Sequence, residues 1–249
     1  MEKYDLLPKQ LRYEGSCDEE DFLTPEKISC PLIEAVHCPN YLQRLLTLEL
    51  DKKEVRKIGF PLSQQLIERE IIITGGTVEG AKRALNDGIA MNIAGGTHHA
   101  FRAWGEAFCL LNDQAIAAQY LLDQKQVQKI LIVDLDVHQG NGTAEIFKDN
   151  PAVFTFSMHG AKNYPFHKEK SDLDLALEDG TSDNVYLNTL KATLPKLIEK
   201  VKPEFIFYLC GVDVVATDKL GRLGMSLAGC KARDQFVLET CLEQNIPVL

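Results

Sequence analysis

The sequence predicts an α/β fold in three layers, with a central, mainly parallel sheet flanked by helices on both faces. The segments at 130–135, 153–156 and 205–210, which are apolar except for Asp134 and Thr155, indicate strands that are buried on both sides. Such runs are typical of parallel sheets, because a strand with one exposed face would alternate apolar and polar residues. Segments with helical spacing separate the runs, as in repeated βαβ units. The length suits one domain, so we expect residues 1–249 to form a single domain.

Local signals predict the other elements. The side chain of Asn112 is suited to cap a helix that follows it. Pro195 is expected to interrupt the helix in which it lies, because proline lacks a backbone N–H. In chain order, we expect short helices and loops over 1–60, a helix over 63–87, a short strand over 89–93, helices over 112–123 and 143–148, a polar loop over 157–172, helices over 182–200 and 232–243, and the start of a strand at 247–249.

Composition excludes several classes of function. The net charge of −9 argues against a nucleic-acid-binding protein, which needs a basic surface. No apolar run approaches the roughly 18 residues of a membrane span, so no membrane partner is expected. The seven cysteines include no C-x-x-C pair, which indicates reduced thiols, and residues 1–5 lack the character of a signal peptide. We therefore expect a cytoplasmic protein.

Polar residues alternate where the first predicted strand ends. Asp134, Asp136 and His138 are spaced by two residues, so their side chains point to the same side of an extended chain. Buried carboxylates beside an imidazole are costly unless they are compensated, and a divalent metal such as zinc compensates them. Asp136 and His138 can converge on one ion if the chain curls there. Asp134 lies one step back and is better placed to orient another side chain.

A third ligand follows another predicted strand. Asp213 comes after the 205–210 run, and the carboxyl ends of parallel strands meet at one edge of the sheet. Asp136, His138 and Asp213 would leave zinc an open coordination position, as in catalytic rather than structural sites. The same ligands also suit iron(II).

Adjacent histidines provide candidate acid–base groups. His98 and His99 follow Gly95-Gly96, on a loop that would lie at the same edge. One ring could accept a proton from water and the other could protonate a leaving amine. Asp134 is a candidate partner for one ring, and Asn141 for the other. Each motif also has a simpler interpretation as a turn, a helix cap or a structural metal site, and only their joint occurrence favours a hydrolase.

Four ordered motifs stand out along the chain. They are Gly95-Gly96-Thr97-His98-His99-Ala100, Phe108-Cys109-Leu110-Leu111-Asn112-Asp113, Asp134-Leu135-Asp136-Val137-His138-Gln139-Gly140-Asn141-Gly142 and Cys210-Gly211-Val212-Asp213. Together these motifs resemble those of the zinc-dependent histone deacetylase family. The similarity extends from about residue 35 to the end, and the 138–142 and 218–223 segments look most like the class IV branch and its bacterial relatives.

The resemblance implies an arginase/deacetylase-like fold and hydrolysis of N-acetyl-lysine to lysine and acetate. It implies Asp136, His138 and Asp213 as zinc ligands, and His98 and His99 as the acid–base pair. Asp134 would stand behind His98, and Asn141 behind His99. The further implied residues are Phe108 and either Tyr164 or Phe166 for the walls of an acyl-lysine tunnel, and Asp134, His138, Ser157 and Met158 for a potassium ion.

Alternatives remain for the substrate and the activity. The substrate could be an acyl-lysine protein or peptide, with a short or a long acyl group, or an acylated small amine such as an acetylpolyamine. In this family a transition-state tyrosine follows a strand that would begin near Val248, so we expect the natural chain to continue past Leu249. An additional strand is expected before residue 1. A non-catalytic binding protein is a further alternative, and a two-metal ureohydrolase is a weaker one, because only one compact ligand set is visible.

Overall fold

The computed structural model describes residues 3–249. Short 3-10 turns occur at Glu19–Asp21 and Val212–Val214. The helices are α1 (Lys3–Tyr13), α2 (Cys30–Glu34), α3 (Pro39–Leu46), α4 (Lys52–Ile58), α5 (Gln64–Asp87), α6 (Asp113–Asp123), α7 (Asn141–Phe147), α8 (Asp183–Val201) and α9 (Leu227–Glu243). The strands are β1 (Ile130–Asp134), β2 (Val153–Gly160), β3 (Leu173–Leu177) and β4 (Phe205–Leu209).

The predicted parallel sheet is confirmed. Within the described residues the strand order is β3-β2-β1-β4, and every neighbouring pair is parallel. The central strand β1 divides its side chains between two hydrophobic cores. Ile130 and Ile132 lie in the core formed with α2 to α6, whereas Leu131 and Val133 lie in the core formed with α8 and α9. This division explains the unbroken apolar run and gives the three-layer architecture.

Residues 247–249 extend the sheet next to β4, as expected. Val248 pairs in parallel with Ile206. The N–H of Tyr208 donates to the carbonyl of Leu249 at 2.8 Å. On the side of residues 247–249 that faces away from β4, the predicted strand over 89–93 is reduced to a single bridge between Ile89 and Val248.

Several element boundaries differ from the predictions. The expected loop over 157–172 is shorter than predicted, because β2 continues to Gly160; residues 161–172 form the loop, and the strand β3 that follows it was not predicted. The polar side chains of these strands form part of their hydrogen bonds with residues from other segments, and a sequence pattern does not reveal such partners. Helix α8 runs through Pro195 without interruption. Helix α9 begins earlier than expected, because the Ser226 side chain accepts a hydrogen bond from the N–H of Gly229 and caps it.

Buried polar side chains hold the loops at the carboxyl edge of the sheet. Arg233 of α9 is fully buried and donates to the carbonyls of Leu135, Cys210 and Gly211, which follow β1 and β4. The carboxylate of Asp113, in the first turn of α6, accepts hydrogen bonds from the backbone of the 96–97 turn. The loops that carry the candidate site are therefore attached to helices on both sides of the sheet.

Among residues 3–249, no helix combines the length and the apolar character that crossing a membrane requires.

A buried histidine connects the N-terminal helices to the central layer. The Nδ1 atom of His37 lies 2.9 Å from the Phe101 carbonyl oxygen, and the N–H of Asn112 donates to Nε2 at 3.0 Å. These contacts require the neutral ring with its proton on Nδ1. Burial lowers the pKa of His37 from 6.5 to about 4, against the opposing effect of the Phe101 carbonyl.

We expect His37 to make stability fall on mild acidification. Because the folded-state pKa lies below the unfolded-state value, the unfolded chain binds the proton first, and stability is lost as the pH falls from about 6.5 towards about 4. Between about pH 6.5 and 5.5 the loss from this residue is about 1 kcal/mol. Urea unfolding at the two pH values should show that His37→Gln removes this part of the pH dependence.

The control is His167→Gln, at an exposed histidine. It should keep the pH dependence of the unmodified protein. An unchanged pH dependence in His37→Gln would contradict the assignment.

Candidate active site

Three residues that could bind a metal converge at the carboxyl edge of the sheet. Asp136 and His138 lie in the turn after β1, and Asp213 lies in the 3-10 turn after β4. One potential ligand atom from each residue lies within 4.8 Å of the others. The strands place these turns side by side because Asp134 and Leu209, which end β1 and β4, are paired in register. The triad predicted from the sequence is therefore brought together.

The charge of this cluster fits a cation. The Nδ1 atom of His138 lies 3.0 Å from an Asp136 oxygen and 3.1 Å from an Asp213 oxygen. Although burial opposes a charged ring, these carboxylates raise the pKa of His138 to about 10. They thus stabilise positive charge at the point between them. Two carboxylates and one imidazole, all partly buried, are a suitable donor set for zinc or iron(II).

Asp134 contacts His98 rather than joining the triad. Its Oδ2 atom lies 2.6 Å from Nδ1 of His98, and its Oδ1 accepts the N–H of Asp136 at 3.1 Å. Burial lowers the proton affinity of His98, but the charge of Asp134 outweighs it and raises the pKa to about 9. Asp134 therefore orients the ring and favours its protonated form.

The second histidine has a neutral partner. Nδ1 of His99 lies 2.6 Å from Oδ1 of Asn141, at the start of α7. Burial and the neighbouring His98 lower the pKa of His99 well below its usual range. The two rings lie 4.1 Å apart, centre to centre. The site thus contains adjacent histidines with opposite preferences for a proton.

Phe108 is exposed rather than packed in a core. Its side chain is 53% exposed, and its backbone has a φ of 68°. Its N–H donates to the carbonyl of Ile58 at the end of α4, and its ring lies 4.9 Å from that of Phe60. Gly59, with a φ of 85°, leaves room for the ring, because a Cβ there would lie 2.9 Å from Phe108 Cε1. This placement suits the wall of a substrate channel.

Of the two candidates for the other wall, Tyr164 is the one beside the histidines. Its ring meets His99 edge-on at 5.1 Å, whereas Phe166 is 83% exposed and lies 6.3 Å from Tyr164. The hydroxyl of Tyr164 donates to Glu106 at 2.6 Å.

Sequence reasoning missed Glu106. It is buried and also accepts hydrogen bonds from Asn141 and Trp104. The only sequence feature that could have pointed to Glu106 is that it is a lone carboxylate between the paired histidines and the Phe108-Cys109 motif.

The residues predicted for potassium binding lie in or just after β1 and in β2. Ser157 of β2 faces Asp134 across the sheet register, and Met158 is buried next to it. The Ser157 hydroxyl, however, lies 3.0 Å from Nδ1 of His159, and His138 points to the carboxylates described above. A potassium site here stays a prediction.

Comparison with known proteins agrees with this geometry. A family profile described as the histone deacetylase domain matches residues 1–249. An uncharacterized protein of Picosynechococcus is 45% identical over 100% of this chain and 83% of its own length. Histone deacetylase 2 of Arabidopsis thaliana is 30% identical over 99% of this chain, which spans 66% of that relative.

A solved structure shows the same fold. The crystal structure of a histone deacetylase homologue from Aquifex aeolicus superposes with a TM-score of 0.79 at 26% identity, covering 90% of this chain and 66% of that one. The arginase/deacetylase-like fold expected from the sequence is thereby confirmed. From the matching profile, the relatives and the shared fold, we conclude that this chain belongs to the histone deacetylase family, a family of enzymes that hydrolyse amide bonds.

Proposed function

We propose that this protein hydrolyses the amide bond of N-acyl-lysine in a protein or peptide, with a bound zinc ion. The family acts on acetylated lysine. The observation that carries the proposal is the convergence of the Asp136–His138–Asp213 cluster with two differently partnered histidines at one edge of the sheet. An acylated small amine is the alternative substrate, because it contains the same amide.

Asp136, His138 and Asp213 would hold the metal. When bound there, zinc supplies Lewis-acid activation of water and of the substrate carbonyl. Iron(II) suits the same ligands and would supply the same chemistry. Asp134 would keep His98 in place beside the metal without binding it.

The histidines divide the proton transfers. His99 is neutral, so its Nε2 can accept a proton from the attacking water. His98 is held protonated by Asp134 and can donate to the departing amine nitrogen. In the balanced reaction the water oxygen bonds to the carbonyl carbon, the C–N bond breaks, and the products are a carboxylate and a free amine.

Aromatic side chains would position the substrate. Phe108 offers an exposed apolar ring, and the Tyr164 ring lies at His99. Such surfaces contact the methylene groups of lysine without forming hydrogen bonds to them. A potassium ion at Asp134, His138, Ser157 and Met158 would further stabilise the turn that carries the ligands.

The activity is tested with full-length protein on acetyl-lysine peptide, long-chain acyl-lysine peptide and acetylputrescine. We expect turnover of at least one lysine substrate, loss of turnover with a chelator, and recovery on adding zinc. Faster turnover of acetylputrescine than of both peptides would instead support the small-amine alternative. No turnover of any of the three by zinc-loaded protein would reject the hydrolase proposal.

Asp136→Ala should abolish both metal binding and activity. The cluster would lose one of its two carboxylate ligands. Replacing a residue that only hydrogen-bonds to a metal ligand typically costs roughly 10–100-fold in activity, so turnover should fall by more than that. Zinc content after dialysis provides an independent measurement. Asp179→Asn, at an exposed aspartate, is the control and should retain zinc and turnover. Full zinc occupancy in Asp136→Ala would show that the metal is held elsewhere.

Phe108→Ala should lower kcat/KM for acyl-lysine peptides by about tenfold, as expected when one aromatic contact to the substrate is lost. Zinc content should not change, because Phe108 lies outside the ligand cluster. Tyr13→Ala, which removes an exposed aromatic ring of α1, is the matched control and should behave as the unmodified protein. Unchanged kinetics in Phe108→Ala would remove this residue from the channel.

A further inference from the structure

Glu106 is a buried carboxylate surrounded by hydrogen-bond donors. It is 4% exposed. Its Oε1 accepts from Asn141 Nδ2 at 2.8 Å and from the Tyr164 hydroxyl at 2.6 Å. Its Oε2 accepts from Trp104 Nε1 at 3.1 Å and pairs with Lys57 Nζ at 2.5 Å. The carboxylate therefore lies directly behind the partner of a proposed catalytic histidine.

These donors keep Glu106 ionised. Burial by itself would raise its pKa, but the hydrogen bonds, first of all those from Lys57, Tyr164 and Asn141, lower the pKa below the usual value. An ionised carboxylate can only accept hydrogen bonds. Every group facing Glu106 must therefore donate.

This restriction passes through Asn141 to His99. An amide is ambiguous, because its oxygen and its NH₂ group have nearly the same shape. Facing an obligate acceptor, the amide of Asn141 must present its NH₂ group to Glu106 and its oxygen to His99. The His99 nitrogen 2.6 Å from that oxygen must then carry a hydrogen. The lone pair of the ring is left on Nε2, the atom that accepts a proton in the proposed reaction.

We propose that Glu106 is a positioning residue that fixes the tautomer of His99 through the amide of Asn141. The kinetic consequence rests on the proposed function, whereas the tautomer is a property of the protein itself. His98 receives its carboxylate directly from Asp134, which favours the protonated ring. His99 is oriented by the carboxylate of Glu106 only indirectly, through the neutral amide of Asn141. Both rings are thus held in place while their proton affinities stay apart.

Glu106→Gln should reverse the direction of this hydrogen-bond chain. The new amide satisfies Trp104 and Lys57 only if its oxygen faces them, so its NH₂ group faces Asn141. Asn141 must then turn its oxygen to residue 106 and its NH₂ group to His99. His99 consequently shifts to the tautomer with the proton on Nε2. We expect kcat to fall by about 10²-fold or more, as wrong-tautomer variants do, with little change in KM.

Exchanging the two groups should restore the chain. Asn141→Asp alone places two carboxylates against each other and should also lower kcat. In the double variant Asn141→Asp/Glu106→Gln, the amide NH₂ group of residue 106 donates to the new aspartate, and its oxygen accepts from Trp104 and Lys57. The aspartate accepts from Nδ1 of His99, so Nδ1 again carries a hydrogen, and the new charge raises the pKa of the ring. Above that pKa the Nδ1–H tautomer returns, and we expect kcat measured there to recover to within about tenfold of the unmodified protein.

The test combines steady-state kinetics with two-bond ¹H–¹⁵N correlation spectra of ¹⁵N-histidine-labelled full-length protein, zinc-free and zinc-loaded. The spectra report which ring nitrogen of His99 carries the proton. Glu70→Gln is the matched control, because Glu70 is also buried and paired with a cation, Arg69. This variant should change neither kcat nor the His99 tautomer.

The outcomes separate this proposal from the proposed function. A tautomer that changes in Glu106→Gln and returns in the double variant supports the positioning role, even if no variant hydrolyses an acyl-lysine substrate. An Nδ1–H tautomer with unaltered kcat in Glu106→Gln would overturn it. If Glu106→Gln does not fold, the double variant decides, because every donor again faces an acceptor. A folded double variant without the Nδ1–H tautomer would also overturn the proposal.

Discussion

Burial of β1 on both faces is the constraint on which the rest of the structure depends. Its side chains alternate between a core with α2 to α6 and a core with α8 and α9, so no polar residue fits until the strand ends. Asp134 ends β1, and Asp136 and His138 follow it, at the level where the neighbouring strand β4 also ends. The same burial that stabilises the sheet thus concentrates the polar side chains at one edge, where partial burial strengthens the interactions between their charges.

The loops at this edge owe their geometry to groups on the surrounding helices. The guanidinium of Arg233 is buried and donates hydrogen bonds to three carbonyls that follow β1 and β4, which supplies donors to backbone groups away from solvent. The carboxylate of Asp113 holds the turn that leads into the paired histidines. Each loop is therefore held by hydrogen bonds to a charged side chain that is itself buried. Such support keeps candidate catalytic groups in place before any substrate arrives.

The carboxylates of the candidate site lie at different distances from the groups whose charge they influence. The carboxylates of Asp136 and Asp213 surround one point and favour a cation there. Asp134 contacts one histidine directly, while Glu106 reaches the other only through Asn141. A carboxylate in contact with an imidazole stabilises its charge, whereas an amide orients the ring without adding charge. Similar side chains in neighbouring positions therefore acquire different proton affinities.

The sequence by itself determined the fold class, the family and the metal cluster, because apolar continuity, strand alternation and spacing are local properties of the chain. It did not reveal β3 or the extension of β2, since their polar residues are stabilised by distant partners. Glu106 could not be assigned a role either, because its donors are contributed by segments as far apart as Lys57 and Tyr164. The family resemblance already implied Asp134 behind His98 and Asn141 behind His99, as the structure has them. Only the tertiary structure revealed Glu106 behind Asn141, because hydrogen bonds depend on distances in space that spacing along the chain does not fix.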